Sequence, residues 1–81
     1  MSEKIQLLDT VIATMSFSLE RVLSGDIGTV VEIYTTPTLA YEVEFVSPDG
    51  TTRALLTLTP NQIRPLSSQD VLTTRPLLAP A

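Results

Sequence analysis

Ala40-Tyr41-Glu42-Val43-Glu44-Phe45-Val46 alternates strictly, with Tyr41, Val43 and Phe45 on one side and Glu42 and Glu44 on the other. Successive side chains of a strand point to opposite faces, so this pattern predicts a strand with one buried and one wetted face. Ser47-Pro48-Asp49-Gly50 follows, with Pro at the second turn position and Gly at the fourth. That order suits a type I turn closing a hairpin with a glycine bulge. Thr52 to Leu58 is then the antiparallel return strand. Working outward on the N-terminal side, Thr29-Val30-Val31-Glu32-Ile33-Tyr34 is a β-rich run, joined to the alternating stretch through Thr35 to Leu39 with Pro37.

Ile5 to Ala13 reads as a first strand, around the polar pair Asp9-Thr10. Met15 to Ser24 reads as a long loop holding a short helical turn. Gly25, Asp26, Gly28 and Gly50 are expected at structural turns, the glycines supplying positive φ or room for a close backbone approach. Asp9 and Asp26 are expected to cap backbone N–H groups. On the C-terminal side, Thr59 to Gln62 suits a 3₁₀ turn, with Pro60 near its start, where a missing N–H costs little. Ile63 to Leu66 completes a fifth strand. Five short strands, one long loop, one tight hairpin and a 3₁₀ turn before the last strand is the element order of an SH3-like barrel. The expected fold is therefore all-β, a small five-stranded SH3-like barrel over residues 1–66 with a Pro-containing C-terminal tail over 67–81.

Composition narrows the chemistry. The 81 residues contain no cysteine and no histidine. These absences remove disulfides, Cys/His metal sites and histidine-based nucleophile or general-base systems. No cofactor and no metal is expected. A net charge of −4, with the five basic residues dispersed, argues against a nucleic-acid partner, whose phosphates need clustered cations. Neither a signal-peptide pattern nor an 18-residue apolar window is present, so the expectation is a cytoplasmic protein with no membrane partner.

Several segments together resemble a known family: Leu7-Leu8-Asp9-Thr10-Val11, Gly25-Asp26-Ile27-Gly28-Thr29-Val30-Val31-Glu32, Tyr41-Glu42-Val43-Glu44-Phe45 and Ala54-Leu55-Leu56-Thr57-Leu58, ending Arg64-Pro65-Leu66. They resemble the uncharacterised bacterial domain-of-unknown-function family 4926, over Ile5 to Leu66. The resemblance implies an SH3-like barrel and no activity, and some members look like accessory or immunity-type partners of a neighbouring toxin-like gene. The tail lies outside it. A looser likeness to KOW-type ribosomal barrels, the nitrile hydratase β-chain barrel and a small barrel protein of photosystem I is of fold only.

The candidate partner contacts are Tyr34, Glu32, Glu42, Glu44 and Arg53. Glu42 and Glu44, about 7 Å apart along one strand face, could act as paired carboxylates in a small hydrolase. A solvated outer face is the ordinary role of such a pair. Glu32 can extend the acidic patch toward a basic partner surface. Tyr34, at a strand end, is open to a peptide contact, whereas Tyr41 belongs to the core by register with Val43 and Phe45. Arg53 and Arg64 could form an anion site or partner salt bridge, against the usual solubilising role of exposed arginines. The expected function is a non-enzymatic protein-interaction module, antitoxin- or immunity-like, with a KOW-like RNA- or ribosome-associated factor as the alternative. Because so small a barrel leaves strand edges bare, Val71 to Leu78 is expected to lie against it or against a second copy in a homodimer, anchored by Leu72 and Leu77.

Overall fold

The computed structural model describes residues 4–77. Its strands are β1 (Thr10–Ala13), β2 (Ile27–Tyr34), β3 (Ala40–Val46), β4 (Thr52–Leu58) and β5 (Ile63–Pro65), with 3₁₀ turns at Ser18–Glu20 and Pro60–Gln62. All pairings are antiparallel, in one sheet of order β4-β3-β2-β1-β5. The described residues thus form an all-β, five-stranded antiparallel sheet. β4 and β5 are its edges, and no ladder joins them.

Register follows from the alternation. Tyr41 faces Leu58, Val43 faces Leu56 and Phe45 faces Ala54 across β3 and β4, while Val30 faces Val43 and Ile33 faces Tyr41 across β2 and β3. These inward residues build the core with Val11, Ala13, Val22 and Ile63, and Phe45, Val11, Val22, Val30 and Val43 are fully enclosed. Burying an aliphatic or aromatic side chain of this size contributes about 1.5–3 kcal/mol, so this face carries most of the stability. Val22 reaches the core from the long loop because its backbone pairs with Phe17 on both sides of the first 3₁₀ turn.

The turns form as their chemistry requires. Gly50 donates its N–H to the Ser47 carbonyl at 2.8 Å and takes φ +89°, a conformation that glycine enters without a Cβ clash. The Asp49 carboxylate then accepts the Thr51 N–H at 3.0 Å and its hydroxyl at 2.8 Å. At Pro60–Gln62, Thr59 and Gln62 form a reciprocal capping box.

The first strand is shorter than Ile5 to Ala13. The Asp9 carboxylate accepts the Gln6 N–H at 2.8 Å and Leu8 turns to φ 70°, so a side chain competing for backbone donors delays the strand to Thr10. Gly28, expected at a turn, lies inside β2 and needs the space rather than a positive φ. A Cβ built there would meet Val43 Cγ1 at 2.6 Å and Phe45 Cε1 at 3.0 Å. The tail from Ser67 forms no strand. Val71 is 85% exposed and Leu72 63%, so Leu72 is not an anchor; Leu77 is half-buried, and Leu78 lies outside the described residues.

Candidate functional site

The outward face of β2, β3 and β4 gathers the acidic candidates. β3 alternation turns Glu42 and Glu44 away from the core, and a register shift in β2 between Val30 and Glu32 sets Glu32 directly opposite Glu42. Like charges placed opposite each other on a strand pair repel. Glu42 is eased by the Thr57 hydroxyl at 2.6 Å, and Glu44 accepts from the Thr52 hydroxyl. No ion pair among the described residues includes Glu32, Glu42 or Glu44. Tyr34 is 41% exposed at the end of β2, opposite Ala40. Leu55, opposite Glu44, and Val46 add exposed apolar surface to the same face. The result is a wetted face with three carboxylates, one phenol and two aliphatic side chains. Its chemistry is attraction of cations with apolar contact between them.

Arg53 stands elsewhere. The shift between Phe45 and Val46 makes it the extra residue of a bulge in β4, which re-aims its side chain. It is 11% exposed, donates to the Arg21 carbonyl and lies 3.6 Å from Asp26. Asp26 is the centre of this junction. Arg75 grips it side-on, with Nε 3.0 Å from Oδ1 and Nη2 2.5 Å from Oδ2, and Nη2 also reaches the Arg21 carbonyl at 3.3 Å. Asp26 Oδ2 accepts the Leu23 N–H at 3.0 Å, the capping role expected of it. Gly25 at φ 97° makes this bend, with Asp26 N–H returning to the Leu23 carbonyl at 2.9 Å. Burial alone would push the Asp26 carboxyl up. The Arg75 and Leu23 hydrogen bonds and the charges of Arg75 and Arg53 outweigh it and hold the carboxyl below its ordinary value.

A second clasp lies nearby. Arg64 donates to Asp70 through its two terminal guanidinium nitrogens, Nη1 at 3.0 Å and Nη2 at 2.8 Å, and Asp70 also accepts the Ser67 N–H at 2.7 Å. The Arg64 hydrogen bonds, followed by that of Ser67, hold the Asp70 carboxyl well below the usual carboxylate range. Between the clasps the tail spans a groove of about 410 Å³, whose walls include Ile12, Ile27 and Pro48 from the sheet side and Leu72 and Leu77 from the tail. Sequence reasoning missed Asp70 and Arg75. The one local signal was Ser67-Ser68-Gln69-Asp70, a carboxylate three residues after a serine and so placed to take its N–H.

Among the described residues no group of three or more His, Cys, Asp or Glu could hold a metal ion, and no helix is long and apolar enough to cross a membrane. A family model described as a domain of unknown function, DUF4926, matches residues 7–65, which include Asp26, Arg53 and the three outward glutamates but not the tail. No curated protein and no solved structure matches the chain.

Proposed function

The chain belongs to the DUF4926 family, and from that premise we propose that it is a non-enzymatic protein-interaction module on an SH3-like small barrel, of the antitoxin- or immunity-like kind, whose partner presents a basic surface. The barrel reading is supported by the long first loop with its 3₁₀ turn, the second 3₁₀ turn before a short last strand, and the position of β1 between β2 and β5. The observation that carries the functional reading is the acidic outer face. Glu32 and Glu42 oppose each other with no ion pair to either among the described residues, which costs stability and favours a partner able to supply positive charge. Tyr34 and Leu55 lie on the same face, and aromatic and aliphatic anchors are what give such a contact its affinity.

The test is the affinity of the full chain for the product of the adjacent gene, measured at low and physiological salt beside a Glu32→Gln/Glu42→Gln/Glu44→Gln variant. Removing three interface charges should weaken binding roughly tenfold, equivalent to about 1.4 kcal/mol, and flatten its salt dependence. Equal affinity and equal salt slope for the two proteins would overturn the proposal.

A further inference from the structure

Charged side chains fasten the tail at both ends, and of its apolar residues Leu77 is half-buried while Val71 and Leu72 are exposed. Asp70 receives Arg64 at one end and Asp26 receives Arg75 at the other, while Val71 and Leu72 stay in solvent between them. A segment that served only to cover the sheet would bury those apolar side chains, since burial is the dominant favourable term in packing. What the structure holds is the Arg75 guanidinium seated beside that of Arg53 against the same two acceptors. We propose that the Asp26 carboxylate and the Arg21 carbonyl form a guanidinium-binding notch, occupied in cis by Arg75, whose ligand in trans is an arginine-bearing extended segment of a protein partner.

The acceptors are held by contacts other than those to Arg75. The Leu23 N–H orients the Asp26 carboxylate, and the αL conformation of Arg21, closing the Ser18–Glu20 turn, aims its carbonyl at the same point. Side-on pairing through Nε and Nη2 fits the planar fork of arginine and cannot be reproduced by the ammonium of lysine. Arg53, 3.6 Å from the carboxylate, leaves Asp26 a positive neighbour when Arg75 departs, so the emptied notch does not strand a bare charge. The groove beside it, with Ile12, Ile27 and Pro48 on its sheet side, takes the residues flanking the ligand arginine. Asp26 and Arg53 lie within the residues matched by the family model, and the occupant Arg75 lies beyond them. The notch adjoins the acidic outer face at Leu55 but contains none of its three glutamates, and it stands independently of the role proposed for that face.

The probe is the peptide acetyl-Leu-Thr-Thr-Arg-Pro-amide, copying residues 72–76, titrated into ¹⁵N-labelled full chain while the Leu23 and Asp26 amides are followed. Wild type, Arg75→Gln and Asp26→Asn are compared, together with a peptide carrying citrulline in place of arginine. A tethered competitor acts at an effective concentration in the millimolar range, so Arg75→Gln should bind the arginine peptide about tenfold more tightly than wild type. Citrulline, which keeps the shape without the charge, should give no response, and Asp26→Asn should respond to neither peptide. Should Asp26→Asn fail to fold, the two peptides on Arg75→Gln still decide the matter. A tenfold effect of a millimolar tether corresponds to an intrinsic Kd of about 0.1 mM, so the proposal is overturned if the citrulline peptide binds equally, if Arg75→Gln and wild type respond alike, or if Arg75→Gln shows no shift up to roughly 1 mM peptide.

Discussion

Replacing Gly28 by alanine sets two effects of opposite sign against each other. Alanine lowers the conformational entropy of the unfolded chain relative to glycine, which favours folding by about 0.4–1 kcal/mol where the site can accept it. At Gly28 the new Cβ would lie 2.6 Å from Val43 Cγ1, 3.0 Å from Phe45 Cε1 and 3.1 Å from the Glu44 carbonyl oxygen. Val43 and Phe45 are fully buried, and the Glu44 oxygen belongs to the paired backbone of β3, so none of the three can swing into solvent. Overpacking of this kind costs about 1–3 kcal/mol. The clash wins, and Gly28→Ala should destabilise by about 1–2 kcal/mol, with Gly28→Val worse. With a urea m-value of about 1 kcal/mol/M for so small a domain, the unfolding midpoint falls by about 1–2 M. Gly50→Asn is the control, because Gly50 has open space around it and asparagine tolerates positive φ in a turn. A double-mutant cycle with Val43→Ala sharpens the test, since removing the 2.6 Å neighbour should make the two changes non-additive by at least about 0.5 kcal/mol. A midpoint unchanged or raised by Gly28→Ala, or strict additivity with Val43→Ala, would refute the packing described for the inner face.

Phe45→Ala should cost about 3–5 kcal/mol in the same assay, the usual range for a fully buried aromatic truncated in a core; a loss below about 1 kcal/mol would contradict the β3 register. The carboxyls of Asp26, Asp49 and Asp70 are all held below their ordinary value in the folded chain. Their contribution to stability is complete above the unfolded value near pH 4 and is lost as pH falls through the lower folded values. Melting temperature should therefore be level from about pH 7 to pH 5 and drop below about pH 4, and a melting temperature that rises on acidification would show the sign to be wrong. Mixed-sequence RNA should bind weakly and without a steep salt dependence, because few cations are available to release counterions. Submicromolar binding at physiological salt would favour a nucleic-acid role.

The hairpin of β3 and β4 was readable to the residue because alternation and turn chemistry are local. Nothing beyond Ala40 to Leu58 is needed to place Tyr41, Val43 and Phe45 inside. The start of β1 was not readable in the same way, since Asp9 could serve as a strand residue or take the Gln6 N–H, and only the pairing of Thr10 with Thr29 decides between them. Glu42 and Glu44 follow from alternation alone. Placing Glu32 opposite Glu42, and turning Arg53 inward, depends on bulges that no period in the sequence records. The tail shows the same limit most plainly. Its leucines stand out by hydropathy, yet one of the two ionic contacts that hold it joins Arg75 to a carboxylate 49 residues away.

Partner recognition is proposed to fall on the acidic outer face of β2, β3 and β4. The most direct measurement is the amide shift map of the ¹⁵N-labelled full chain on titration with the adjacent gene product. The largest changes are expected at Glu32, Tyr34, Glu42, Glu44 and Leu55, receding when salt is raised. Changes confined to other faces of the molecule, or no change at a saturating concentration of that product, would contradict it.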